Sequence, residues 1–307
     1  MRTLAKLSLL PASAVLLLFA GCSDRAYRNV PQALGIPYAS RTVTDTQVII
    51  EKDGHTFVFD RGKRMAKVDG VNYFLNEAAG MRTLNRKDSA LLRAAVVQDF
   101  YNVKTNPVIM LDAGHGGKDT GCRAADKVTF EKDITLSITN QVAEILRGVG
   151  YTVLFTRTDS ERTWTLDERT LCAANNDIDA FVSIHVNSTL NLESNGVEVY
   201  TLPIFGCEGT AANSPARGPL AGHAHLAAAT RLALAIQREM IGMENPPADR
   251  GVKHMHFKVL RDTPAPSVLV ETGFITHAAD LQRLTSPEGQ AQLARAIATG
   301  IQKTFSV

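Results

Sequence analysis

The chain has 307 residues, of which 45% are hydrophobic, 21% charged and only 6% aromatic. This is ordinary globular composition with length for a large core, and it excludes a disordered, collagen-like or multi-span membrane protein. Its 33 basic and 31 acidic residues give a formal charge of +2. Removing residues 1–21 takes away Arg2 and Lys6 and no acid, so the remainder is neutral and offers no electrostatic case for nucleic-acid binding. Four cysteines are too few for a disulfide scaffold.

Arg2 and Lys6 precede an apolar run from Leu7 to Ala20, which ends at Gly21-Cys22 and gives way to the polar Ser23-Asp24-Arg25. A basic head, an apolar stretch and small residues at its end read as a secretory signal over residues 1–21. The run is short for a membrane-spanning helix, and Pro11 interrupts it. Leu18-Phe19-Ala20-Gly21-Cys22 resembles the lipobox of bacterial lipoproteins, with Phe19 where an aliphatic residue is usual. The resemblance implies cleavage before Cys22, a lipid anchor on that cysteine and, from Ser23 after it, an outer-membrane location facing the periplasm. Plain secretion with an incidental cysteine is the alternative.

Residues 22–41, with Pro31, Gly35 and Pro37, suit a tether. Residues 42–106 carry short β-type runs at Gln47–Glu51, His55–Phe59 and Val71–Leu75. Asp53-Gly54 and Asp69-Gly70 stand before the second and third as hairpin turns. A small β-rich domain is expected here, ending in a helix near Ala90–Tyr101 and serving as a spacer or packing module. From residue 107 to 307 strand and helix patterns alternate. Val108–Leu111, Tyr151–Phe155, Ala180–Ile184, Val197–Leu202, Phe257–Leu260 and Val268–Val270 read as strands. Glu131–Val149, His223–Ile241 and Pro287–Phe305 read as helices, and Thr165-Leu166-Asp167-Glu168 as a capping box opening another. The alternation predicts an α/β domain with a mostly parallel sheet flanked by helices on both faces.

Three polar residues end or follow strands in this domain: His115 after Val108–Leu111, His185 after Phe181–Ile184, and Glu271 after Val268–Val270. The carboxyl ends of the strands form the ligand crevice of an open α/β sheet, so these residues are expected to converge. Glu131, opening the helix after His115, can point into the same crevice. Two imidazoles and one or two carboxylates have the composition of a catalytic zinc site, which uses three protein ligands and leaves a place for water. Spacing alone leaves a structural role for each residue equally open, because no short motif such as HExxH joins them.

Val108-Ile109-Met110-Leu111-Asp112-Ala113-Gly114-His115-Gly116-Gly117-Lys118-Asp119 resembles the opening motif of the zinc-dependent N-acetylmuramoyl-L-alanine amidases. Further stretches match in the same order: Glu131-Lys132-Asp133, Thr156–Asp159, Leu166–Asn175 with Arg169, and Phe181–Ser188. Arg250–Lys253, Val259–Arg261 and Val268–Ile275 continue the match, which covers about residue 107 to the C-terminus. The resemblance implies that His115, Glu131 and His185 bind one zinc ion and that Glu271 is the catalytic carboxylate. It implies cleavage of the amide between N-acetylmuramic acid and L-alanine of the stem peptide, with peptidoglycan as partner. The alternatives are a zinc peptidase acting on stem peptides, and an inactive peptidoglycan-binding or regulatory lipoprotein.

After Ile275 the chain runs Thr276-His277-Ala278-Ala279-Asp280, where the family usually shows an asparagine and a glutamate. Leu202–Gly222 looks like an inserted loop, too short and too rich in glycine and proline for the blocking helix of activator-dependent members. An open groove, no indicated activator protein and a monomer are therefore expected. His254 and His256 are expected on one face of a strand, and His223 and His225 at a helix start. Neither pair supplies the third ligand that zinc needs. Cys122, Cys172 and Cys207 allow at most one internal disulfide.

Overall fold

The structure is a computed structural model that describes residues 40–43, 47–52, 54–60, 63–76, 86–97, 104–210 and 218–305. The leader, Cys22 and the tether as far as residue 39 lie outside the described residues.

Period-two alternation shapes the first strands. Val48 and Ile50 of β2 (Gln47–Lys52), Phe57 and Phe59 of β3 (His55–Asp60), Ala66 and Val68 of β4 (Met65–Val68), and Val71 and Tyr73 of β5 (Val71–Phe74) are buried on one face. With β1 (Ser40–Val43) they form an antiparallel ribbon, β1 through β5 in order. Asp69 and Gly70 have φ of 50° and 87°, the left-handed pair that a two-residue hairpin turn demands. The expected helix begins earlier than the sequence suggested, as α1 (Arg86–Leu92), and widens into a π-helical turn at Arg93–Val97. Its expected end at residues 98–101 lies outside the described residues.

The alternating region then supplies β6 (Val108–Ala113), α2 (Glu131–Gly148), β7 (Thr152–Phe155), α3 (Leu166–Ala174), β8 (Ala180–Asn187) and β9 (Val197–Thr201). It continues with α4 (Leu226–Ile241), β10 (Asp249–His254), the single turn α5 (Lys258–Arg261), β11 (Ser267–Phe274), α6 (Ala278–Thr285) and α7 (Pro287–Phe305). All eleven described strands join one mixed sheet in the order β1-β2-β3-β4-β5-β10-β9-β11-β8-β6-β7. The β11-β8-β6-β7 half is parallel, while β9 runs antiparallel to β11. The β-rich part is present as expected, and it continues the same sheet through the parallel pair β5–β10.

Helices α2, α4 and α7 cover one face, where Ile138, Val142, Leu232, Ile236, Leu293 and Ile297 pack on Leu111, Val182, Val199 and Val270 in a single large core. The other face of the α/β half packs Met110, Phe181 and Leu269 against Ala173 of α3 and Val259 and Leu260 of α5. Among the described residues no helix is long and apolar enough to cross a membrane.

Gly300 of α7 crosses α4 so closely that a Cβ there would sit 2.5 Å from the Ile236 Cα. Gly300→Ala is expected to force the helices apart and lower stability by about 1–3 kcal/mol, as overpacking does. An unchanged urea midpoint would mean that the two helices separate at no cost.

Two expectations are corrected. Phe257–Leu260 is not a strand: Phe257 precedes the turn α5, and Val259 and Leu260 bury within it. A four-residue apolar run carries too little periodicity to separate the two states. His254 and His256 do not share a strand face either, because β10 ends at His254 and His256 follows it in a loop. His254 is instead a buried joint: Nδ1 lies 2.9 Å from Thr201 Oγ1, and Nε2 lies 2.7 Å from the carbonyl of Phe74 in β5. Burial pushes its pKa down to about 4, so the ring stays neutral inside the sheet.

Candidate metal centre and active site

One loop, one helix start and two strands build the site at one end of the parallel strands. After β6 the chain turns through a run of positive φ, with His115 at 61°, Gly116 at 132° and Gly117 at 58°. Gly116 and Asp119 bond each other's backbones at 2.8 and 3.1 Å, closing a tight loop that carries the His115 ring inward. Glu131 is the first residue of α2 and His185 lies inside β8, which runs three residues beyond Ile184. The sequence thus placed His185 and Glu271 at strand ends, whereas both sit within longer strands.

His115, Glu131 and His185 come together with one donor atom from each, all within 4.8 Å of one another. Among the described residues this is the sole group of three such side chains, and neither His-x-His pair belongs to one. His115 Nε2 and His185 Nδ1 lie 3.2 and 3.0 Å from Glu131 Oε1. The imidazoles meet edge to face, their centroids 5.0 Å apart. Glu131 is buried, and it accepts the Cys122 N–H on Oε2 and the Val186 N–H on Oε1, at 2.9 and 3.0 Å. Burial opposes its charge, but the two histidines hold its carboxyl well below the usual carboxylate range.

Glycine makes room for this grouping. A Cβ on Gly114 would fall 2.4 Å from His185 Cε1, and one on Gly121, whose φ is +64°, would fall 2.5 Å from Glu131 Oε2. A nitrogen, oxygen, nitrogen donor set open to solvent on one side is the set that a catalytic zinc site uses. The residues present therefore fit a single divalent ion.

Asp119 faces the outer nitrogen of His115, its Oδ2 lying 2.9 Å from Nδ1. Such a carboxylate fixes the ring and raises its basicity as a ligand. Asp119→Ala is expected to weaken metal affinity by about 10- to 100-fold with little effect on folding, since the side chain is half exposed. Competition against a chelating dye measures this, and unchanged affinity would remove Asp119 from the site.

Beneath the histidines lies a buried ion pair. Asp112 of β6 bonds Arg169 of α3, Thr156 Oγ1 at 2.6 Å and Ser183 Oγ at 2.7 Å. Arg169 also donates to the carbonyls of Ala113 and His115, at 2.9 and 2.5 Å. Arg157 supports the same turn through the carbonyls of Ala113 and Gly114, at 2.9 and 2.8 Å. Burial favours the neutral acid at Asp112, but Arg169 and the two hydroxyls hold its pKa below the usual value.

Glu271 lies on β11 between His185 of β8 and Glu198 of β9, its register partners on either side. Its Oε2 is buried and has no hydrogen-bond partner among the described residues. Burial first, then the charges of Glu131 and Glu198, push its pKa well above the ordinary range, against Lys253. A raised pKa makes a carboxylate a stronger proton acceptor, which suits it to general-base work. Glu271, His115 and His185 line a cleft of about 450 Å3 walled by Trp164, Leu166, Phe257 and Leu269.

The sequence reading named the three donors and Glu271 but missed Asp119, Asp112 and Glu198 as parts of the assembly. An acid inside the apolar strand Val108–Ala113, and another inside Val197–Thr201, were the available signals. Among the described residues none of Cys122, Cys172 and Cys207 forms a disulfide.

Comparison with known proteins places this geometry. The chain is 36% identical over 197 residues to the uncharacterized protein YqiI of Bacillus subtilis (strain 168), across 64% of this chain and 84% of that protein. It is 32% identical over 219 residues to the N-acetylmuramoyl-L-alanine amidase AmiC of Neisseria meningitidis serogroup B, across 64% of this chain. It spans about half the length of that relative, 52%. The solved structure of the amidase AmiC2 of Nostoc punctiforme is similar at 35% identity and a TM-score of 0.53, across 64% of this chain and 96% of that one. A family model described as N-acetylmuramoyl-L-alanine amidase matches residues 109–303, which leaves β1–β5 outside it. The match takes in every strand and helix around the cleft, and the chain belongs to the N-acetylmuramoyl-L-alanine amidase family of hydrolases.

Proposed function

We propose that this chain cleaves the amide between the lactyl group of N-acetylmuramic acid and L-alanine in peptidoglycan, with zinc held by His115, Glu131 and His185. The observation that carries the reading is the meeting of three donor atoms beside Glu271 at one open cleft. Zinc in such a set polarises the substrate carbonyl and lowers the pKa of a bound water toward neutrality. Glu271 takes the proton of the attacking water and returns it to the departing amine, acting as general base and then general acid. Asp119 orients His115, and the Asp112–Arg169 pair holds the turn that presents it.

The envelope assignment rests on sequence. Residues 1–21 act as the leader, Cys22 carries the lipid, and the catalytic region faces the periplasm from the outer membrane. The groove works without displacement of a blocking segment. In support, none of the described residues of 202–220 lines the cleft.

The test incubates the chain with purified peptidoglycan and reads the products by mass spectrometry, with and without a chelator. Free stem peptides beginning with L-alanine are expected, lost on chelation and restored by added zinc. Shortened stem peptides still attached to glycan would make the enzyme a peptidase. Release that persists through chelation would sink the metal assignment. A severalfold gain in activity on deleting residues 204–220 would show that the groove is blocked after all.

A further inference from the structure

The face of the sheet that carries the catalytic residues does not end at the catalytic half. Register carries it across, from His185 to Glu271, from Glu271 to Glu198 and from Leu269 to Tyr200. It continues from Tyr200 to Lys253 of β10, whose neighbour Val252 pairs with Tyr73 on the opposite face. Phe74 and Asn72 of β5, Met65 and Lys67 of β4, Val58 of β3 and Ile49 of β2 then follow on the catalytic side. Helices bury the reverse side of these strands. The catalytic side is left half-buried or exposed from Ile49 to Phe74. From Glu271 to β5 is three strand spacings, about 14 Å.

A groove of about 500 Å3 opens where the two halves meet, lined by Phe74, Asn72, Met65, Asn195, Arg250 and Lys253. That volume falls within the range of about 300–1,000 Å3 for small-ligand sites. Three of its charged residues are engaged with protein partners, and the fourth, Glu193, is exposed at the rim with its carboxylate open to solvent. Arg250 Nε lies 2.7 Å from Glu198, Lys253 bonds the same carboxylate, and Asp249 accepts from the Asn72 and Gly251 N–H groups and from Gln237. What faces the groove beyond these pairs is the Phe74 ring, the Met65 side chain, the Asn195 amide and the Glu193 carboxylate. That combination suits a ligand with an apolar ring face and hydroxyl or acetamido N–H groups that donate to Glu193 and Asn195, and it suits an anionic peptide poorly.

We infer that β4 and β5 extend the catalytic cleft into a saccharide-binding groove, which holds sugar residues of the glycan strand beyond the muramic acid whose amide is cut. The inference rests on the amidase reading for the orientation of the glycan, but not for its binding. The groove and the cleft lie on the same sheet face, separated by Glu198 and Tyr200 of β9 and Lys253 of β10, so a glycan strand seated in the groove runs toward Glu271 across those two strands. The N-terminal strands are thus a wall of the substrate site and not a spacer.

Calorimetric titration of the full chain with β-1,4-linked N-acetylglucosamine oligosaccharides tests this, because such a probe carries the uncharged acetamido sugar rings of the glycan strand and no amide that the enzyme cuts. Phe74→Ala removes the ring, and Asn195→Trp fills the groove from a loop without touching the core. Each is expected to weaken binding about tenfold, roughly 1.4 kcal/mol, with an unchanged melting temperature for Asn195→Trp. Undiminished affinity in both variants, or no glycan binding by the parent chain, would overturn the inference. Displacement of the variants' effect onto sugar-free stem peptide would overturn it equally, since the occupant would then be peptide. Glycan binding that depends on Phe74 in a chain that releases no stem peptide would keep the groove and remove the amidase reading.

Discussion

Glu271→Gln should cut turnover by about 10²- to 10⁴-fold, the span that a positioned proton-transfer group contributes, without lowering stability. Glutamine keeps the shape of the side chain and removes its proton-accepting charge. In the parent protein Oε2 is buried with no partner among the described residues, and Glu131 and Glu198 crowd it with like charge. The amide relieves that conflict, so the variant's melting temperature should hold or rise. The pH dependence follows from the direction of the shift. A carboxyl whose folded pKa is raised favours the fold below its unfolded pKa, and that contribution is lost as pH rises through the window above it. The stability gap between variant and parent should therefore widen from acid toward neutral pH. Turnover within tenfold of the parent would remove Glu271 from proton transfer.

Arg169→Ala should be the most destabilising single change around the site. Removing one partner of a buried ion pair leaves the other charged and stranded, at a cost of about 3–5 kcal/mol. Here Asp112 keeps only its two hydroxyl donors, the His115 carbonyl loses its donor, and the Ala113 carbonyl is left with Arg157 alone. The His115 turn loosens, and metal affinity should fall with stability. A double variant separates the two effects. Asp112→Asn with Arg169→Met removes both charges and should recover part of the urea midpoint, while metal affinity stays low because the His115 carbonyl is still unheld. Equal midpoints for Arg169→Ala and the parent would mean that the pair contributes nothing to the fold.

Much of this architecture is legible in the residue pattern, for reasons that particular elements make plain. Glu131–Gly148 shows its apolar stripe, Thr165 and Glu168 satisfy each other's backbone as the capping box requires, and Asp69-Gly70 turns left-handed where the hairpin needs it. His115 and His185 stand where β6 and β8 deliver them, because parallel strands share one crevice. Partnerships across long separations are what the pattern withholds. Alternation in Val71–Phe74 tells which face of β5 is buried, but nothing in it names β10 as the neighbouring strand. The same limit hid Asp119 behind His115 and Glu198 beside Glu271. Each is an ordinary acid until the fold sets a histidine or a second carboxylate against it.

The join between β5 and β10 also governs how this chain must assemble. Asn72 donates to Asp249 across a sequence separation of 177, and β5 has no neighbour on that side until β10 exists. A chain emerging from its N-terminus completes the β1–β5 ribbon first, and then holds an open edge strand throughout the synthesis of almost everything else. Such an edge invites pairing with another copy, and contacts this distant in sequence close slowly. The last gap to close in the sheet adjoins the groove that β5 walls. The proposed saccharide groove and the exposed edge of the unfinished sheet therefore occupy the same seam.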